Sequence, residues 1–405
     1  RAFETAYVVG FAGYLLLCWI VSRAGAGVPL GRWRWWLVGC IALRAATIAT
    51  VPGDDAYRYV WEGRVQLAGA NPYALAPDAP ELRSLRDRQW ASINHRDYTA
   101  IYAPIAEMQF ALAAWLSPSV QTIKALHVLW DVLVVVVVGS CLRRAGRRPH
   151  AAIVYGLCPL VLTAFGIEGH VDSLMLLAIA ATVWALQTNK PYMAGAMLGI
   201  AIGAKPVAVV LLPWFIVRHR RAAAVAAGVV IVSYVPYAAA GTGVFASLVR
   251  FNRANTFFNM VATLGGPGFD TPMLHMTVGA VLLLVVFVCA WHRAAFTHFA
   301  VGAIGATLAA MPVMHYWYIA SVLLFVVFHR RVSWIVAALA MVFYFEGERW
   351  RAVAGVWMMP TWVPTVVWRL FVTTWLVEAA AGRRRGCRLA RMTPSIVCGG
   401  RTRYL

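Results

Sequence analysis

Two adjacent carboxylates open the stretch of this sequence best equipped for chemistry. It reads Asp54-Asp55-Ala56-Tyr57-Arg58-Tyr59-Val60-Trp61-Glu62-Gly63-Arg64 and is followed by Gly69-Ala70-Asn71-Pro72-Tyr73. Read as a helix starting at Asp54, the carboxylates cap its N-terminus and meet the favourable end of its dipole. Capping alone accounts for one Asp, and an interfacial belt accounts for Trp and Tyr. A carboxylate pair followed by Tyr, Arg, Trp, Glu and Arg asks for more. Further on, Glu168, His170 and Asp172 alternate in a turn. Alternate residues can face one cation, yet mixed side chains without a fixed geometry favour ligand contact or loop polarity over a metal. Lys205 is one of three lysines, with Lys124 and Lys190, and stands at a Lys-Pro break inside a hydrophobic hairpin. A cation there is costly unless paired or solvated; the alternative is a lysine snorkelling from a helix end. His315-Tyr316-Trp317-Tyr318 offers either a ligand contact or an aromatic anchor at the interface.

The elements that must position these groups are membrane helices. Of 405 residues, 61% are hydrophobic and 13% charged, and mean hydropathy is +0.68. A soluble domain needs more polar surface than that. The apolar runs match the roughly 20 residues a spanning helix needs, and no period-2 alternation suggests a barrel. The net charge of +20 comes in short clusters: Arg32 and Arg34; Arg143, Arg144, Arg147 and Arg148; Arg218, Arg220 and Arg221; Arg330 and Arg331; Arg383 to Arg385. That pattern marks cytoplasmic loops, not a nucleic-acid surface. Seven cysteines with no CxxC pair suggest neither disulfides nor zinc.

Placing the basic clusters inside sets crossings near 5–22 and 35–52, then an external loop over 53–102. Seven of the chain's sixteen acidic residues lie in that loop. A helix at 103–117 reads as interfacial or re-entrant, and 122–142 crosses back. Later crossings fall near 150–166, 172–188, 222–239, 273–291, 297–313, 316–328, 332–345 and 357–380. A broken hairpin occupies 191–217, its arms too short to span at 1.5 Å per residue, and a second external loop covers 240–272. The expected fold is an all-α polytopic bundle of about eleven to thirteen crossings with short interfacial helices in the long external loop. Residues 1–381 form one transmembrane domain, and 382–405 a basic cytoplasmic tail expected to be disordered. The chain opens on Arg, which leaves room for sequence upstream. Arg44 and Asp131 fall inside crossings, where ions usually pair; a structural bridge between them can form if their helices are neighbours, with a proton relay as the alternative.

The run from Asp54 to Arg64 and the Asn71-Pro72-Tyr73 turn resemble bacterial polyprenol-phosphate-dependent glycosyltransferases of the type-C membrane superfamily. Family-87-like mannosyltransferases are the nearer likeness and the GPI mannosyltransferase I catalytic subunit a more distant one. Tyr102-Ala103-Pro104, Asp131, the Glu168–Asp172 turn, Lys205-Pro206 and His315–Tyr318 extend the likeness over roughly 50–320, with Ala103 where the family usually has Pro. The resemblance implies a type-C bundle in the inner (plasma) membrane with its active site on the periplasmic or extracellular face. It further implies transfer of a sugar, mannose favoured, from a polyprenyl-phosphate donor to a lipid or glycan acceptor. An inverting reaction wants a carboxylate to take the proton of the attacking hydroxyl, and Asp55, or failing it Asp54, is the expected base. The leaving lipid phosphate wants fixed cations, for which Arg58, Arg64, Lys205, Arg250 and Arg253 are the candidates. Glu62, Glu168, His170, Asp172, His315 and Tyr318 complete the expected donor site. No metal ligand set is assigned; a divalent metal cofactor is left open.

The rival class is a transporter or lipid flippase, which places ionisable groups at the midplane and often carries inverted repeats. Acids concentrated in one external loop, and no visible repeat, favour the enzyme over that rival; a third reading is a scaffold or assembly subunit that keeps the fold without catalysis, and Asp55→Asn separates these. No GxxxxGK[ST] phosphate loop speaks for a nucleotide donor.

Overall fold

A computed structural model describes residues 2–23, 33–292 and 295–392. The regular structure of the described residues is helical, with turns and coil between helices and a single bridge between Phe257 and Val313. In chain order the main helices are α1 (Ala2–Arg23), α2 (Trp33–Thr47), α3 (Asp55–Leu67), α4 (Pro104–Leu116) and α5 (Val120–Arg144). A bent pair of short pieces then precedes α6 (Asp172–Gln187), α7 (Pro191–Ala204) and α8 (Arg220–Tyr234). The second half holds α9 (Ala246–Ala254), α10 (Pro272–Trp291), α11 (Phe296–Ala310), α12 (Ala320–Val326), α13 (Val332–Ala340), α14 (Glu346–Ala354) and α15 (Trp362–Met392). The expected tail thus begins within α15, and residues 393–405 lie outside the described residues, as does the loop 24–32.

This is a polytopic membrane protein. Four described helices are long and apolar enough to cross, five counting the bent pair, and five shorter apolar helices accompany them. Several expected crossings are therefore built from short or broken pieces. The reason is local chemistry: α7 ends at Ala204 because Pro206 cannot continue it, and Lys205 turns to extended backbone. Fourteen residues reach only about 21 Å, short of a hydrocarbon core of roughly 30 Å. Irregular backbone at such a depth is tolerated where it lines a cavity, and this break does so.

Side-chain size sets how closely α7 and α8 approach. A Cβ on Gly195 would stand 2.2 Å from the Ala222 carbonyl oxygen, and one on Gly199 2.7 Å from that of Ala226. Only glycine permits this approach, as in small-residue membrane helix contacts. The register makes α7 and α8 parallel. The Lys205–Asp172 ion pair joins the end of α7 to the start of α6, so those two are antiparallel.

The two ends of the bundle differ in charge. At one end Arg147 donates to the Phe328 carbonyl (2.5 Å), Gln187 to that of Cys141 (3.3 Å), and Glu378 accepts from Val332 N–H (2.5 Å). The basic clusters at 143–148, 218–221 and 330–331 gather there. At the other end Lys124, on the first turns of α5, donates to the carbonyls of Thr47 (2.9 Å) and Thr50 (2.7 Å) at the C-terminus of α2. Here the chain enters the loop that carries Asp54.

Inside the bundle the Arg44–Asp131 bridge is formed. Arg44 Nε donates to Asp131 Oδ2 at 2.7 Å, Tyr155 donates to Oδ1 at 2.7 Å, and Arg44 also donates to the Gly156 carbonyl at 2.6 Å.

Candidate active site

α3 starts at Asp55 with Asp54 before it, but the Asp54 side chain caps no helix N–H. Capping is therefore not what occupies it. The backbone at Gly53 donates to the Glu168 carbonyl at 3.1 Å, which fastens the acidic loop to the 168–172 turn. That turn needs Gly169, whose φ is +77°, and its carbonyl bonds the ring of buried His127 at 2.7 Å. Together these segments line a cavity of about 1180 Å³.

The two aspartates meet different neighbours. Asp55 accepts from Asn94 Nδ2 at 2.8 Å and faces His170 Nδ1 at 3.5 Å. His170 in turn holds Glu168 through Nε2 at 3.0 Å. Asp54 is 46% exposed and has Arg351 at 3.7 Å. These surroundings drive their proton affinities apart. Burial pushes the Asp55 carboxyl up, but the His170 proton, its charge and the Asn94 amide outweigh that and hold Asp55 down at about 2. For His170, burial works downward and is outweighed by Asp55 and Glu168, which raise it to about 9. Asp54 is raised above the ordinary carboxylate value, by burial first and by the Asp55 charge second. At neutral pH Asp55 is a fixed anion beside an imidazolium, and Asp54 is the stronger base of the two.

His170 is also clamped by aromatic rings. Trp317 stacks on it with centroids 3.6 Å apart and planes 15° apart, and His315 in turn stacks on Trp317 at 4.4 Å and 10°. His315 Nδ1 meets the Tyr344 hydroxyl at 2.7 Å. An indole face beside an imidazolium is electrostatically favourable. Lys205 is ion-paired to Asp172 and lies 3.8 Å above the Tyr318 ring.

Of the residues expected from sequence, the cavity brings together Asp54, Asp55, Arg58, Glu168, His170, Asp172, Lys205, His315 and Tyr318. Glu62, Arg64, Arg250 and Arg253 do not line it. Glu62 holds Arg58 at 2.5 Å, and Arg58 also donates through Nη1 and Nη2 to the His95 and Tyr98 carbonyls. Arg64 is bound to Asp87 (2.6 Å) and the Leu85 carbonyl (2.8 Å). Arg250 pairs with Asp97 at 2.6 Å and covers the Tyr98 ring; with Arg253 it borders a separate open hollow on α9. Glu168, His170 and Asp172 do not converge on one point, because Asp172 turns to Lys205. Among the described residues no group of three or more His, Cys, Asp or Glu is arranged to hold a metal ion.

Asn94, Arg349, Arg351 and Trp357 line the cavity without any motif pointing to them. Asn94 carries no sequence signal. Trp357 carries none either, but for the two arginines there is one: Glu346, Glu348, Arg349 and Arg351 put four charges into six residues between apolar runs.

No curated protein matches the chain. Residues 1–221, more than half of the sequence, match the MptA_B family, described as Alpha-(1->6)-mannopyranosyltransferase, N-terminal domain. The match takes in the aspartate pair, the 168–172 turn and Lys205, whose side chains share one cavity. This polytopic chain belongs to the MptA_B family of mannosyltransferases, and it is a membrane glycosyltransferase.

Proposed function

We propose that this chain transfers a mannosyl group from a polyprenyl-phosphate donor to a hydroxyl of a glycolipid or polysaccharide, by an inverting displacement. The observation that carries the reading is the aspartate pair in a large cavity at the end of the bundle opposite the basic clusters. With those clusters cytoplasmic under the positive-inside rule, the cavity opens on the periplasmic or extracellular side of the inner membrane. Polyprenyl-phosphate sugars are displayed at such a face, and nucleotide sugars are not.

In the reaction the acceptor oxygen attacks the anomeric carbon as the bond from that carbon to the phosphate oxygen breaks. The acceptor proton passes to a carboxylate, and the polyprenyl phosphate leaves with the bonding electrons. Asp54, raised in affinity and half exposed, suits the proton-accepting role. Asp55 suits the other carboxylate role, a fixed negative charge beside the oxocarbenium-like centre. His170 as imidazolium and Lys205 supply positive charge toward the leaving phosphate. The transmembrane domain over 1–381 is proposed to act as one catalytic unit.

Purified protein incubated with labelled polyprenyl-phosphate mannose and a membrane lipid extract should yield a mannosylated product by mass spectrometry, while GDP-mannose alone yields none. Transfer from the nucleotide sugar without the lipid carrier would sink the donor assignment. Lys205→Met should raise the donor KM about ten- to a hundredfold, since a charge-assisted bond to phosphate is lost. Lys205→Arg should recover part of it. An unchanged donor KM in Lys205→Met would move the phosphate elsewhere.

A further inference from the structure

We propose that the cavity wall formed by α14 and Trp357 is the acceptor subsite, in which Glu348, Arg351 and Trp357 hold a hydroxyl-rich glycan so that one hydroxyl reaches Asp54. This rests on the transferase reading above and adds which wall takes which substrate.

Neighbouring carboxylates at the start of α3 reach toward different walls. Asp55 is engaged by Asn94 and His170, whereas the basic group nearest Asp54 is Arg351 of α14. The cations on the Asp55 side are held in place by partners, Arg58 by Glu62 and two carbonyls and Lys205 by Asp172, and Lys205 is the one assigned above to the donor phosphate. Arg351 is in a different state. It stands 3.7 Å from Asp54 and 3.7 Å from Glu348, at the edge of ion-pair contact, and is 48% exposed. A guanidinium has five N–H donors in a rigid fork, so most of its capacity is uncommitted and faces the cavity. Glu348, 50% exposed, offers the matching acceptors. A fork of donors beside a carboxylate fits the paired hydroxyls of a sugar ring, which both give and accept.

The third component is a flat apolar surface. Trp357 lines the same cavity and is seated directly over Gly347, where a Cβ would stand 2.7 Å from the indole. Phe257 at 5.3 Å and Tyr344 at 6.0 Å brace the indole from the side. An amphipathic ring held this way gives contact area at low entropic cost and suits the C–H face of a pyranose.

The competing occupant is the donor phosphate. Carboxylates flank Arg351 (Asp54 and Glu348) as they flank His170 (Asp55 and Glu168), so charge alone does not choose between the walls; the open Arg351 donors beside the Glu348 acceptors and the Trp357 ring are what fit a neutral polyol.

The test uses the full chain in detergent with polyprenyl-phosphate mannose as donor and octyl α-(1→6)-mannobioside as acceptor probe. Arg351→Gln and Glu348→Gln should each raise the acceptor KM about tenfold or more while the donor KM stays within about twofold. Trp357→Phe should keep most of the acceptor affinity that Trp357→Ala loses. A rise in donor KM instead would hand this wall to the phosphate and overturn the proposal, as would acceptor constants that do not move. Equilibrium binding of the octyl mannobioside, without donor, reads the subsite separately. About tenfold weaker binding to Arg351→Gln than to wild type supports it even if wild type consumes no donor. Equal binding by both overturns it and leaves the donor reading standing.

Discussion

Asp54→Asn is expected to slow mannosyl transfer by about 10² to 10⁴, the usual worth of a positioned general base, with donor KM and membrane insertion unchanged. The argument starts from basicity. A base must be ionised before it can take a proton, so the rate falls as pH drops through its pKa. If Asp54 is that base, the acid limb lies above the ordinary carboxylate value, because burial and the Asp55 charge raise it. If Asp55 were the base, held at about 2, the rate would stay level down to about pH 3. The alkaline side is set by His170, raised to about 9. Its charge is complete below that value and is lost above it, so the rate should decline as pH rises past about 9. Asp55→Asn should cost about 10² to 10³ as well, by removing fixed charge, but with a second signature. Without its main anionic partner His170 loses proton affinity, and the alkaline limb moves to lower pH. A pH–rate profile of the wild type and both variants assigns the roles. An acid limb that survives unchanged in a partly active Asp54→Asn would take the base role from Asp54, and a wild-type rate level down to about pH 3 would give it to Asp55.

How much of this was readable from the chain depends on distance in sequence. Membrane class followed from apolar runs, and the Lys205-Pro206 break from proline alone, because both are local. The Arg44–Asp131 bridge was readable because hydrocarbon leaves an ion few choices. The donor cations were harder, for an exposed loop offers an arginine many partners. Arg64 finds Asp87, 23 residues on, and Arg250 finds Asp97, 153 residues back; nothing in either motif announces those contacts. Asn94 reaches Asp55 across 39 residues with a neutral amide that carries no pattern. Arg351 meets Asp54 from almost 300 residues on, although its charge cluster stands out between apolar runs. Residue type thus indicated which side chains can do chemistry, and long-range pairing decided which of them are free to do it.

Asp131→Ala is expected to destabilise the protein by about 3–5 kcal/mol, the cost of leaving one member of a buried pair alone. Arg44 is wholly buried, with its Nε donating to Asp131 and its Nη1 to the carbonyls of Gly156 and Cys40. Removing the carboxylate strands a guanidinium in apolar surroundings and orphans the Tyr155 hydroxyl. Arg44→Met should do comparable damage by stranding Asp131. The double variant Arg44→Met/Asp131→Leu should recover most of the loss, since two apolar side chains need no partners. Thermal unfolding in detergent reads all three. The pair also bears on the site, because it fixes α2 against α5 one helix turn from where α2 ends. From there Lys124 of the same α5 grips Thr47 and Thr50, and four residues later the chain reaches Asp54. The double variant should therefore fold yet place the aspartate loop less firmly, losing more in kcat than in stability. A double variant as unstable as either single one would mean that these helices are held by the charges themselves and not merely damaged by an unpaired one.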